Sequence, residues 1–153
     1  MRVLALVLLA LVSLAPWESR ADPSSPAVEE RRQPPAMSSA DSEYDRGVRA
    51  RLVSDWGVAV NAFRGAIKLR PDFPDAWNEL GFALRQQGRY GESLDAYHEA
   101  LRLRPNFPEA LEYLGEAYIK MGRVEEARRV LDRLRPLDAA RAAELATEIA
   151  KAR

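Results

Sequence analysis

The sequence predicts an all-α chain built as a stack of helix pairs, and three observations carry that prediction. The first is a period of 34 residues: Trp56, Tyr90 and Val124 keep that interval, as do Gly47, Gly81 and Gly115, and Phe63, Tyr97 and Leu131. The second is helical spacing inside each period. Trp77, Leu80 and Leu84, then Leu94, Tyr97 and Leu101, recur at three or four residues and mark two amphipathic helices. The third is a repeated loop, since Arg70-Pro71-Asp72-Phe73-Pro74 returns as Arg104-Pro105-Asn106-Phe107-Pro108. A fixed period of roughly 20–50 residues marks one supersecondary unit stacked on copies of itself, because such a unit cannot bury its apolar face alone.

The elements follow in order. Met1-Arg2 precedes Val3 to Ala15, apolar apart from Ser13. Those thirteen residues would span about 20 Å as a helix, short of the ~30 Å hydrocarbon core of a bilayer. Residues 1–21 therefore read as a cleavable export signal, with Ser19 and Ala21 as the small residues before the cut. An uncleaved N-terminal anchor is the alternative. Residues 22–39 hold Pro23, Pro26, Pro34 and Pro35 and almost no large apolar side chain, the composition of a flexible linker. Three units follow at 40–73, 74–107 and 108–137, and residues 138–153 form a closing helix. In that helix Asp138 is the cap, while Leu145 and Ile149 lie on one side.

Within a unit, Gly88 suits the left-handed turn that ends a first helix, and Pro105 cannot continue the second. Pro108 opens the next helix where its missing amide hydrogen costs nothing, and Asp72 and Asn106 are placed to cap the helices after them. Gly81 and Gly115 fall mid-helix, where glycine costs up to ~1 kcal/mol relative to alanine. Close approach of the paired helix explains them, with Ala59, Ser93 and Ala127 expected at that contact. Trp56 and Trp77 are expected in the core.

The middle unit, Trp77-x2-Leu80-Gly81-x2-Leu84 … Ser93-x3-Tyr97-x2-Ala100 … Pro105, resembles a tetratricopeptide repeat. The third unit keeps Leu114, Gly115, Tyr118, Ala127 and Leu131. The first keeps Gly47, Ala59, Phe63, Ala66 and Pro71 but has Glu43 and Arg46 at usually apolar places. The resemblance implies a solenoid of three antiparallel helix pairs whose first helices line a concave, partner-binding groove. On the matching positions it implies Tyr44, Val48, Arg51 and Leu52 in the first unit and Asp75, Asn78, Phe82, Arg85 and Gln86 in the second. In the third unit it implies Glu109, Glu112, Glu116, Ile119 and Lys120. Some members hold a partner's C-terminal carboxylate, but Asn78, Arg85 and Lys120 do not reproduce that set, and Glu112 and Glu116 would repel it. Glu109, Glu112 and Glu116 share one helical face, either as an acidic stripe for a basic segment or as an ordinary solvated face. Arg51 and Arg85 form a basic counterpart, and Phe82 and Tyr44 are candidate hydrophobic anchors.

Composition narrows the chemistry. Basic and acidic residues balance at 23 each, so no global charge favours nucleic acid. Cysteine is absent, which removes disulfides, thiolate metal sites and a cysteine nucleophile. His98 is the only histidine, no serine sits in a nucleophile-elbow context, and no glycine-rich phosphate loop occurs. No catalytic residue, metal or cofactor is therefore expected. The expected function is a non-catalytic scaffold or adaptor of the cell envelope that binds a peptide or protein partner. The alternatives are a self-associating or membrane-tethered structural component, and an accessory subunit of an envelope enzyme.

Overall fold

The computed structural model describes residues 38–152, which are helical and, among these residues, contain no strand. The helices are α1 (Ala40–Leu52), α2 (Trp56–Leu69), α3 (Pro74–Gln86), α4 (Tyr90–Leu103), α5 (Pro108–Lys120), α6 (Val124–Leu134) and α7 (Ala139–Lys151). The predicted export signal lies outside the described residues, as does the linker up to residue 37.

Short loops fold α1 onto α2, α3 onto α4 and α5 onto α6, and each pair stacks on the next through α2 with α3 and α4 with α5. Helix α7 closes the array by packing on α5 and α6. The backbone of α1 approaches α3, that of α3 approaches α5 and that of α5 approaches α7, whereas the backbones of α2 and α4 stand further apart, as do those of α4 and α6; Arg64 of α2 and Glu92 of α4 bridge that wider side through their side chains at 2.9 Å. A stack in contact along one side and splayed along the other is curved. The odd-numbered helices therefore form its inner face.

The helix ends follow from local chemistry. Gly88 and Gly122 take φ of +74° and +71°, the left-handed turn predicted for the first of them. Ser54 holds the same place in the first unit at φ +58° without a glycine's freedom. The capping expected of Asp72 and Asn106 does not occur. The cap positions are Phe73 and Phe107, neither making a side-chain bond, with Pro74 and Pro108 already removing one unpaired donor from each first turn. Their rings lie instead beneath the guanidinium groups of Arg70 and Arg104, at 4.5 and 4.3 Å. Helix α1 begins with a reciprocal cap between Ser39 and Ser42 that sequence reading missed.

Close approach does require the mid-helix glycines, but the closest side chains are not the expected ones. A Cβ on Gly47 would lie 2.5 Å from the Phe63 ring, and one on Gly81 would lie 2.7 Å from the Tyr97 ring. At Gly115 the neighbour is Leu145 of α7, at 2.6 Å. Ala59, Ser93 and Ala127 are fully buried without being those neighbours. Nor are the tryptophans enclosed. Trp77 is half-buried between two core clusters, its indole N–H donating to the Pro71 carbonyl at 2.9 Å, and Trp56 sits at the edge of one of them. A large ring spanning the joint between stacked pairs has one side with nothing to cover it. The polar pair Glu43 and Arg46 is also accommodated: the two side chains pair at 2.5 Å, and the Glu43 carboxyl lies over Gly65.

Candidate functional site

The inner face is built from side chains that α1, α3 and α5 turn away from the core. Leu80, Leu84, Leu111 and Leu114 close that core behind it. At its middle lies Phe82, half-buried, 5.2 Å from the Tyr113 ring and 5.9 Å from Trp56. The guanidinium groups of Arg51 and Arg85 sit over Phe82 at 5.6 and 5.2 Å, and Arg85 also covers Tyr113 at 5.4 Å. Arg85 pairs with Glu116 at 2.5 Å. Arg51 Nε forms an ion pair with Glu79 Oε2 at 3.2 Å without hydrogen-bond geometry, and among the described residues neither atom has another hydrogen-bond partner.

Of the predicted groove residues, Arg51, Phe82, Arg85 and Glu116 are thus brought together. Asn78 and Glu112 are withdrawn, being 1% and 6% exposed. The Glu112 carboxylate lies against Arg141 of α7, and among the described residues the Asn78 Oδ1 has no hydrogen-bond partner. Lys120 is exposed at the end of α5, beside a shallow depression of about 220 Å³ that it lines with Arg85, Glu116 and Glu148. The acidic stripe is therefore not free. Glu112 turns under α7 and Glu116 turns to Arg85, leaving Glu109 half-buried with no ion pair among the described residues. Arg51 and Arg85, being engaged with Phe82 and nearby carboxylates, do not form a separate basic end.

Sequence reading missed an ion-pair ladder along the rim. Asp41 pairs with Arg70 at 2.6 Å, and one unit later Asp75 takes Arg104 through two bonds of 2.6 and 2.9 Å. The matching positions in the third unit are Glu109 and Asp138, so the arginine is replaced by an acid. Asp138 caps α7 by accepting from the amides of Ala140 and Arg141. The signal was present in the sequence, as acid and arginine 29 residues apart and repeated at the period. Glu79 and Tyr113 were also missed, since they flank rather than occupy the positions that the resemblance implied.

Burial and negative charge shape the titrating groups here. The Tyr44 phenol is pushed up to about 12 by burial, then by Glu79, Asp75 and Glu109, with Arg51 opposing. Tyr113 is likewise pushed up to about 12 by burial, then by Glu109, Glu79 and Glu112. Burial raises the Glu79 carboxyl against the pull of Arg51, and it raises Glu112 against Arg141. His98 sits away from this face, 3.1 Å from the Tyr118 hydroxyl. Among the described residues no group of three or more histidine or carboxylate side chains is arranged to hold a metal. None of the described helices is long and apolar enough to cross a membrane.

Two tetratricopeptide repeat family models match, over residues 84–151 and 44–106, and together they span the helical array. The chain belongs to the tetratricopeptide repeat family. Its structure is similar to the TPR2B domain of yeast Sti1, solved as a complex with pHsp70: the TM-score is 0.71 at 24% identity, over 74% of this chain and 98% of that one. It is also similar to the TPR2AB domain of yeast Sti1, in a complex with pHSP90, with TM-score 0.70 and 26% identity over 74% of this chain. There it spans 46% of the neighbour's length. A third neighbour, the TPR domain of Arabidopsis OM64, has TM-score 0.70 at 18% identity, over 73% of this chain and 94% of that one. No curated protein matches the chain by sequence. The fold is a protein-interaction fold.

Proposed function

We propose that this protein is a non-catalytic docking module whose inner face receives a segment of a partner protein. The observation that carries this reading is the Phe82–Tyr113 patch, two aromatic rings left partly open at the middle of a curved face while the core behind them is closed. Aromatic side chains of this kind, flanked by arginines, contribute most to protein–protein affinity. Similar domains of yeast Sti1 were solved in complexes with pHsp70 and pHSP90, which supports a segment as the guest. An acidic C-terminus is not the matching guest, because the arginines of this face, Arg51 and Arg85, are already engaged with Glu79 and Glu116, and Glu109 adds a further carboxylate.

The site of action we assign is the cell envelope, on the export-type segment at residues 1–21. Sequencing the N-terminus of the protein recovered from cells tests this. A start at Asp22 fits release after export, an intact apolar segment in a membrane fraction fits tethering, and an intact chain in the cytosol refutes both. Docking itself is tested by placing a photo-crosslinking residue at position 82 and, separately, at the exposed Arg102 of α4. One discrete partner captured from 82 and not from 102 is the expected result. Equal, diffuse capture from both positions removes the reading.

Self-association is the second reading, favoured by Leu52 and Val53, which are 74% and 75% exposed at the end of α1. Sedimentation of the wild type beside Leu52→Ser/Val53→Ser decides it. A dimer at micromolar concentration that the double variant abolishes supports self-association, and a monomeric wild type dismisses it.

A further inference from the structure

We propose that the outer side of the stack carries a second docking site, a basic groove between α4 and α6 that takes an acidic, leucine-bearing segment of a partner protein. The site is separate from the inner face and does not depend on what that face receives.

The helix arrangement makes grooves on this side. The second helices of successive units stand apart, so the first helix between them becomes the floor of a furrow. One furrow, of about 330 Å³, lies between α2 and α4 over Leu80, Leu84 and Trp77. The next, of about 300 Å³, lies between α4 and α6 over Leu114 and Tyr118. The two are the same place one period apart, because Leu114, Tyr118 and Val130 hold the positions of Leu80, Leu84 and Ala96.

Their rims differ, and the difference has one sign. In the first furrow Arg64 crosses to Glu92 at 2.9 Å, and Asp95 offsets the charge of Lys68. One period on, His98 stands in place of Arg64, Arg129 in place of Asp95 and Arg133 in place of Glu99. His98 lies 3.1 Å from the Tyr118 hydroxyl on the floor, and among the described residues no ion pair crosses from α4 to α6. The second furrow is therefore not bridged by charge.

Its arginines outnumber the acid they could use. Glu126 is the one carboxylate lining the furrow, and Arg123 donates to it at 3.0 Å. Arg129 stays 4.0 Å from the same carboxylate, with its side chain 74% exposed. Among the described residues Arg133 pairs with no carboxylate, and it donates only to the Pro105 carbonyl at 3.5 Å. The neighbouring acids Glu99 and Asp132 are held by Arg102 and Arg135, each at 2.8 Å. Arg102, turned to Glu99, does not line the furrow. Three guanidinium groups thus share one carboxylate.

Arg129 and Arg133 are four residues apart and so lie side by side on α6. Each presents a planar fork that suits a carboxylate, and the apolar floor below takes an aliphatic side chain. An acidic segment with leucine between its carboxylates satisfies both, whereas a nucleic-acid backbone satisfies only the first.

The test uses the full-length chain and end-blocked, rhodamine-labelled peptides, with binding followed by anisotropy. A peptide of repeated Glu-Leu-Leu-Glu is expected to bind, more weakly as salt rises, and its lysine counterpart not to bind. Arg133→Gln is expected to weaken the acidic peptide about three- to fivefold, the scale of one partly exposed ion pair. Arg129→Gln should do the same, and it provides a second variant should Arg133→Gln lose its circular dichroism spectrum. Arg49→Gln, the same charge change at an exposed position on α1, should leave binding unchanged. Serine in place of the leucines of the peptide should weaken it about tenfold, since the floor then has nothing to cover it. Absence of binding by the acidic peptide, equal weakening by Arg49→Gln and Arg133→Gln, or equal binding of the serine peptide overturns the proposal. Tighter binding of an oligothymidylate than of the acidic peptide also overturns it, and would assign these arginines to nucleic acid.

Discussion

At the scale of single residues, a missing methyl group sets how closely two helices approach. Tyr97 is fully buried, and a Cβ on Gly81 would meet its ring at 2.7, 2.8 and 3.0 Å. Gly81→Ala gains up to ~1 kcal/mol of helix propensity but overpacks the joint, a cost of about 1–3 kcal/mol. We expect a net loss of about 1 kcal/mol or more, read as a lower urea midpoint. Gly91, also in a helix, has nothing within 4 Å of an added Cβ, so Gly91→Ala should raise the same midpoint. A Gly81→Ala protein as stable as the wild type would mean the close approach is not what keeps this glycine. Glu79 gives a second residue-scale test. Burial holds its carboxyl above the ordinary value of 4.5, so between those two values the folded chain keeps a proton that the unfolded chain releases. Such a group stabilises at acid pH, and its contribution is lost as pH rises through the folded value. The stability of wild type relative to Glu79→Gln should therefore fall as pH rises above 4.5 in chemical denaturation, and a difference that does not change with pH refutes it.

At the scale of elements, α7 does more than end the chain. The third unit has Leu131 where the others carry Phe63 and Tyr97, and the space above Gly115 is filled by Leu145 from α7 instead. Leu145 is 1% exposed, so Leu145→Ala should cost about 2–5 kcal/mol in urea denaturation. Ala143→Ser, on the exposed side of the same helix, should cost under about 0.5 kcal/mol. Equal effects would place Leu145 outside the joint. That α7 exists, and that Leu145 and Ile149 face inward, was legible from helical spacing. That Leu145 replaces an aromatic ring was not, because the period relates residue 115 to residue 131 and gives no reason to look at residue 145. The caps failed in the opposite way. Asp72 and Asn106 have the right chemistry, but Pro74 and Pro108 fix the helix starts so that Phe73 and Phe107 occupy the cap positions.

For the whole molecule, the period determined the solenoid because every copy repeats the same burial problem. It did not determine the inner face, because the charges there depart from the period: Glu112 finds Arg141, Glu116 finds Arg85, and Glu109 makes no ion pair among the described residues. Repetition identifies what is shared between units, and binding chemistry resides in what differs. The same logic predicts how the array unfolds. The backbones of α1 and α2 do not pack against α5, α6 or α7, so their stability reaches the far end mainly through α3 and α4. Ending the chain at Leu137 removes α7, uncovers the Gly115 joint and takes Arg141 from the buried Glu112 carboxylate. If stability is a sum over neighbours, hydrogen exchange in the truncated chain should quicken by orders of magnitude in α5 and α6, less in α4, and little in α1 and α2. If instead the helices fold only as one unit, every amide in the core should quicken together, and the picture of pairs stabilised by their neighbours would be wrong. Mass spectrometry of peptides from α2 and α6, taken after the same exchange time, separates the two outcomes directly.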